Sequence, residues 1–210
     1  MGLRGPTVAS FRRSIVRVVW WIGIVWSSAA VAQETEADNA AEVALGEHNR
    51  LSVELQTLAQ RGAWAGVERT FLRLVSTGIE PDFDDWVVGA ASARARGDMK
   101  ATKLRLYEAS KLGEDRTVSD GLWELRQNYA DVSLRCSSRL LKKKDPPSLE
   151  VEVMPFDPVQ VAAIAYAKAS ISEDCTFDGL LPRGTYSFMD RSFTVRPNIE
   201  TVSLDLRGVR

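Results

Sequence analysis

Two stretches of the chain carry the same pattern of apolar residues, displaced by 35 positions. Residues 51–74 and 86–109 both place apolar side chains at helical spacing on either side of a glycine, Gly62 in the first and Gly97 in the second. Apolar residues at three- and four-residue intervals predict amphipathic helices, and a glycine between two such runs ends the first helix at little cost. The corresponding pairs are Leu51/Trp86, Leu55/Ala90, Leu58/Ala93, Trp64/Met99, Phe71/Leu106 and Leu74/Ala109. The pattern predicts two consecutive antiparallel helical hairpins.

Over residues 48–116 this pattern resembles the tetratricopeptide repeat. The agreement is best between Trp86 and Ala109, where the Gly97-Asp98 turn stands as that family would have it. The first unit departs from the family at Leu55 and Leu74, where smaller residues are usual. Since stable solenoids generally contain three or more units, the segment 119–129 is expected to add a capping helix.

The resemblance implies a polypeptide partner. Tetratricopeptide-like pairs commonly present the inner face of the first helix of each pair to an extended or helical peptide. Carried over position by position, it points to six candidate binding residues. With one histidine and no ligand motif in the sequence, no cofactor or metal ion is predicted. These residues are Asn49, Ser52, Gln56, Asp84, Val87 and Arg94. The alternative is a set of helices that pack on the rest of the chain and leave no groove.

After Ala130 the apolar period changes from about 3.6 toward 2, which predicts strands. The alternating segments are 132–134, 149–153, 186–188, 193–195 and 202–206. The predicted fold class is therefore α+β, with N-terminal antiparallel, tetratricopeptide-like helical hairpins followed by a small β-rich module that contains one helix.

That one helix is predicted to begin after Asp157, with Pro158 at its first position and Gln160 completing a capping box, and to run to about Ser170. Residues 181–184 predict a type I turn, because proline and glycine occupy its second and fourth positions. The run 177–186, with the hairpin and strand after it, is similar to the end of carboxypeptidase regulatory-like β-sandwich modules.

The first 32 residues have the three parts of a secretory signal peptide. Arginines without any acidic residue come first, then an apolar run from Val18 to Trp26, then small residues up to Ala32. An uncleaved membrane anchor is the alternative, but a span needs about 20 apolar residues and Ser27 interrupts the run. Cleavage is predicted after Ala32, which gives an exported protein, periplasmic or extracellular, without a membrane span.

Three regions follow from these patterns: a signal peptide over 1–32, a helical repeat domain over 33–130 and a β-rich C-terminal module over 131–210. Removal of residues 1–32, which hold four arginines and no acid, changes the formal net charge from −1 to −5. A mildly acidic surface of mixed charge argues against nucleic acid as the partner.

Cys136 and Cys175 are predicted to form a disulfide. Export places them in a compartment where disulfides persist, and two cysteines allow a single intramolecular pairing. A module of about 80 residues also has a core small enough to need reinforcement. Paired, the cysteines would bring the first strand of the module beside the approach to Phe177. Two separate buried thiols are the alternative.

Catalysis is the less favoured class of function. His48 is the single histidine and is expected at the surface, and no nucleophile elbow, phosphate-binding glycine loop or zinc-protease motif occurs. Carboxylate pairs such as Asp84/Asp85 leave open a hydrolase of envelope carbohydrate or peptide, although helix capping and solvated faces also account for them. The preferred interpretation is a non-enzymatic interaction or scaffold protein of the cell envelope. A cell-wall-binding C-terminal module is a further alternative.

Overall fold

The computed structural model describes residues 25–142, 147–152, 154–197 and 201–206. The chain divides into two units between Val43 and Ala44. Of the predicted signal peptide, residues 1–24 lie outside the described residues, and 25–32 belong to the first helix. None of the helices in the described ranges combines the length and hydropathy that a membrane crossing needs.

Helices precede the strands, with one helix among the strands, which confirms the predicted α+β class. The helices are α1 Val25–Gln60, α2 Trp64–Ser76, α3 Phe83–Arg96, α4 Met99–Leu112, α5 Arg116–Asn128 and α6 Pro158–Asp174. The strands are β1 Tyr129–Arg135, β2 Leu149–Val151, β3 Thr176–Pro182, β4 Gly184–Phe188, β5 Arg191–Val195 and β6 Val202–Asp205. A short 3₁₀ helix, Ser138–Lys142, follows β1.

The α1–α2 and α3–α4 turns have the same backbone hydrogen bonds, 35 residues apart. Gly62 and Gly97 are both left-handed, with φ of 66° and 84°. In each turn the residue after the glycine donates its amide to the carbonyl five residues earlier, at 3.0 Å in the first and 2.9 Å in the second. These are the bonds of a Schellman-type helix end, for which glycine is favoured.

The α3–α4 turn packs closely against α6. A Cβ added to the buried Gly97 would overlap the backbone of Ala162. The next residue, Asp98, accepts a hydrogen bond from the Tyr166 hydroxyl at 3.1 Å and caps α4 through the amide of Ala101. The absence of a side chain at position 97 therefore lets the helical hairpins dock on the helix of the β-rich part.

The helices and the strands share buried side chains. One cluster joins residues of α3, α4 and α5 to Ala163 of α6 and Leu180 of β3, all less than a tenth exposed. A second fills the space between α6 and the strands, and a small third cluster of Leu55, Val67 and Phe71 lies between α1 and α2. Burial of side chains from both parts in one cluster stabilises their contact.

The strands form two three-stranded sheets. In the first, β1 lies between β3, antiparallel to it, and β6, parallel to it; in the second, β4 lies between β2 and β5, antiparallel to both. The predicted turn at 181–184 is wrong. Strand β3 runs to Pro182 and β4 begins at Gly184, and the chain bends from one sheet into the other at Arg183, whose amide donates to the carbonyl of Asn128 at 2.9 Å. Pro182 suits this strand end because it has no amide to satisfy.

Helix α6 confirms its predicted start. The Asp157 carboxylate accepts from the Gln160 amide at 2.8 Å, and the Gln160 side chain accepts from the Asp157 amide at 3.2 Å. The helix continues past the predicted end at Ser170 to Asp174. It ends at Cys175, which is left-handed with φ of 59°.

Cys136 and Cys175 form the predicted disulfide, with their Cα atoms 5.1 Å apart. Both cysteines are buried, and the Cys136 amide donates to the Cys175 carbonyl at 2.8 Å. The bridge joins the chain just after β1 to the end of α6, immediately before β3. As expected, it lies beside the approach to Phe177, which pairs with Leu134 across β1 and β3.

Candidate functional site

A groove of about 500 Å³ lies between α3 and α5. Val87, Ala90, Ala91 and Arg94 line it from α3, and the buried Thr102 and Leu106 of α4 form its floor. Its second wall is one face of α5, made of Arg116, Thr117, Asp120, Gly121 and Glu124. Helix α4 packs on both walls, so α3 and α5 stand apart above it.

A glycine on α5 sets the approach of this helix to the groove floor. A Cβ added to Gly121 would lie 3.0 Å from Cδ1 of Leu106, tighter than ordinary van der Waals contact. Helix α5 itself begins at Asp115, whose carboxylate accepts from the amides of Thr117 and Val118 at 2.7 and 3.1 Å. Such capping by aspartate fixes where the helix, and therefore the groove wall, begins.

An ion pair connects the two walls of the groove. One guanidinium nitrogen of Arg94 lies 2.8 and 2.9 Å from the two carboxylate oxygens of Glu124. About a third of each side chain remains exposed. Charge-assisted hydrogen bonds of this kind are about twice as strong as neutral ones. A guanidinium has five N–H donors, and the hydrogen bonds of Arg94 seen among the described residues come from this one nitrogen.

The six sequence-predicted binding residues fall into two groups. Val87 and Arg94 line the groove. The other four lie on α1 and in the first turn of α3: Asn49 and Asp84 are exposed, Gln56 is half-buried, and the Ser52 hydroxyl donates to Asp85 at 2.7 Å. The structure thus places two of the six in the groove and uses a third for a contact within the protein.

Asp85 is the residue that sequence reasoning missed most clearly. It was expected to be solvated in the first turn of α3, but it is fully buried, and its Oδ2 has no hydrogen-bond partner among the described residues. Burial raises the pKa of Asp85, and the charge of Asp82 adds to this, while the hydrogen bond from Ser52 opposes it. The hydrogen bond to Asp85 comes from Ser52 of α1, and the spacing of residues within α3 does not predict it.

The expected surface position of His48 is wrong. The side chain is 7% exposed, and its Nδ1 lies 3.2 Å from the Thr77 hydroxyl oxygen at the end of α2. His48 stands three residues before the fully buried Leu51 and four before Ser52, and therefore on the same face of α1. The spacing from His48 to Leu51 and Ser52 could therefore have predicted that His48 is buried.

We expect Asp85→Asn to raise the free energy of unfolding near neutral pH by about 1 kcal/mol, since a neutral amide costs less to bury than a carboxylate. Because burial raises the pKa of Asp85 on folding, its cost to stability sets in as the pH rises through the unfolded value of about 4 and is complete above the raised folded value. The gain should shrink as pH falls toward 4. Urea unfolding at a series of pH values measures it. Asp157→Asn, at the exposed cap position of α6 where asparagine caps equally well, is the control. An equal gain at every pH would contradict the titration of Asp85 as its cause.

A buried charge network supports the far side of α3. Arg105 of α4 donates to both oxygens of Glu68 at 2.7 Å and to the carbonyl of Gly89 at 2.7 Å, and its guanidinium lies 4.3 Å from the Phe71 ring centre. Burial opposes ionisation of Glu68, but hydrogen bonds from Arg105 and Ser92 outweigh it and hold the pKa of Glu68 below its ordinary value. The network connects α2, α3 and α4 and so holds the helix that carries Val87 and Arg94.

The helical spacing of apolar residues favours core positions for Trp64, Trp86 and Trp123, but the three differ in burial. Trp86 is half-buried and packs edge-on against Phe71, with the two ring centres 5.5 Å apart. Trp64 is 36% exposed and Trp123 63% exposed, so the core assignment is wrong for Trp123. Its neighbours Leu122 and Leu125 pack in the core instead.

The groove acids do not face each other as the hydrolase alternative requires. Asp120 and Glu124 lie on the same helix, one turn apart, and Glu124 is paired with Arg94. No group of three or more histidine, cysteine or acidic side chains in the described part of the chain is arranged to hold a metal ion.

Comparisons with protein-family models, with curated proteins and with solved structures found no match to this chain.

Proposed function

We propose that this chain is an exported, non-enzymatic protein that binds another polypeptide in the groove between α3 and α5. The observation that carries the proposal is the groove itself, because it is open on the face where the resemblance to tetratricopeptide repeats implies a ligand. Val87 and Arg94, which that resemblance selects, both line it.

The chemistry of the groove suits a peptide in two ways. Small side chains at Ala90, Ala91 and Gly121 leave room for a backbone to approach closely. Two ion pairs place both a hydrogen-bond donor and an acceptor beside such a backbone: Arg94 with Glu124, and Arg116 with Asp120. Extended peptides carry amide donors and carbonyl acceptors at each residue, so paired charges of opposite sign can satisfy both.

Selection from a displayed library of random linear peptides, with the full chain as bait, tests the proposal. Val87→Glu is expected to lower the affinity for the selected peptides by about tenfold or more, because it fills the groove and places a charge against an apolar contact. Val161→Glu is the control, since Val161 is 53% exposed on α6 and outside the groove. Peptides that bind both variants equally, or no enrichment at all, would refute the groove as the binding site.

Export rests on the signal-like segment and on the disulfide, which persists in oxidising compartments. We predict that the mature chain begins at Gln33. Mass spectrometry of the protein recovered from the producing cells measures this, with an Ala32→Lys variant as the control that should block cleavage. A full-length mass in the membrane fraction would contradict the prediction and favour an uncleaved anchor.

A further inference from the structure

A second cavity, of about 670 Å³, lies between α4, α5, β1 and β3. Its lining is mostly aliphatic and aromatic, and Leu104, Leu122, Leu125 and Leu180 all contribute. Leu104 is 59% exposed and lies at the rim of this cavity. A volume of this size lies in the range of about 300–1,000 Å³ that small-molecule sites occupy.

Cations surround the cavity. Its lining contains three basic residues and one acidic residue, although the chain has a formal net charge of −1. The basic residues are Lys100, Lys103 and Arg126, and the acidic one is Asp131. Lys103 lies 3.6 Å from Asp131, and Lys100 lies 2.9 Å from Asp178, both in exposed pairs. Exposed ion pairs contribute little and exchange readily with a ligand anion.

Arg126, an exposed residue of α5, is the third cation of this set. No hydrogen bond or ion pair of its guanidinium is seen within the described ranges. A guanidinium can bind a carboxylate through two parallel hydrogen bonds, which gives a defined position to the head of a ligand.

We propose that this cavity binds a single-chain fatty acid. The alkyl chain lies against Leu104, Leu122 and Leu125, and the carboxylate lies at the rim beside Arg126 and the two lysines. The Tyr129 hydroxyl is the buried polar atom of this lining without a partner among the described residues. The leucine walls offer no partner to the backbone amides of a peptide, at a cost of roughly 1–3 kcal/mol for each amide left unpaired, whereas an alkyl chain carries none.

The cavity is separate from the groove. Leu122, Leu125 and Arg126 lie on one face of α5, and Thr117, Asp120, Gly121 and Glu124 on another. A fatty acid in the cavity and a peptide in the groove would thus contact different faces of the same helix, so the two proposals stand or fall independently.

Titration calorimetry of the full chain with decanoate below its micelle concentration tests the proposal, with decanol as the uncharged probe of equal length. We expect one molecule bound per chain. Leu104→Glu should lower the affinity for decanoate by about tenfold or more, because it adds a like charge to the rim. Val161→Glu, an equally exposed change on α6, should leave it unchanged.

The charge requirement is tested by the double variant Lys103→Gln/Arg126→Gln. It should lower the affinity for decanoate several-fold and leave the affinity for decanol unchanged. Lys168→Gln, at an exposed position on α6, should change neither affinity. Val87→Glu in the groove should also leave decanoate binding intact. The proposal is overturned if decanoate does not bind, if it binds Leu104→Glu as tightly as the original chain, or if an acidic peptide displaces it from the cavity.

Discussion

Gly97→Ala is expected to destabilise the protein by at least about 3 kcal/mol. Two costs add at this position. Its φ of 84° is left-handed, which costs an alanine roughly 1–2 kcal/mol, and the added Cβ would overlap the Ala162 backbone. A backbone cannot rotate away as a side chain can, so relief requires the α3–α4 turn to separate from α6. Urea unfolding measures the loss.

Gly62→Ala is the matched control, because the two turns have the same hydrogen bonds. Gly62 is also left-handed, with φ of 66°, but nothing lies within 4 Å of an added Cβ. It should cost only the conformational part, about 1 kcal/mol. Equal losses in the two variants would contradict the close packing of the α3–α4 turn on α6.

Loss of the disulfide is expected to cost about 4 kcal/mol in the chain-entropy model, since 39 positions separate the two cysteines. The double variant Cys136→Ala/Cys175→Ala should therefore show a lower midpoint in urea. Because the bridge joins the end of β1 to the start of β3, we expect amide protection in these strands to fall first and that of α2 and α3 to fall less.

Reductant provides the control for this prediction. It should destabilise the original chain to a similar extent and have no further effect on the double variant. Thiol titration of the unfolded, unreduced chain should find no reactive thiol. Two reactive thiols per chain, or a midpoint that reductant leaves unchanged, would show that the bridge is absent.

The parts of the fold that the sequence predicted depend on local signals. Glycine at 62 and 97 ends helices because it adopts positive φ, and Asp157 with Gln160 starts α6 because both side chains bond the first turn. The sheet order depends on distant segments instead. The parallel pairing of β1 with β6 sets Leu134 beside Leu204, and no local pattern predicts a pairing between segments so far apart in the sequence. Likewise, the corner at Arg183 depends on its bond to Asn128 at the end of α5.

The candidate site was less predictable than the fold. Position-by-position transfer selected Val87 and Arg94, but it could not find Glu124, the partner of Arg94, because α5 lies outside the two repeated units. Asp85 was misassigned because a helix N-terminus usually exposes its acids. Its burial depends on how α1 packs over α3, which spacing within one helix does not define.

The central claim is that the groove holds a polypeptide partner in the compartment to which the chain is exported. A photoreactive phenylalanine analogue at position 117, an exposed position on the α5 wall of the groove, tests it directly when introduced in the organism that makes the protein, with the same analogue at position 161 as control. We predict that position 117 cross-links one defined polypeptide to a chain beginning at Gln33. The product should be lost with Arg94→Glu and absent from position 161. The same products from both positions, or none from position 117, would contradict the claim.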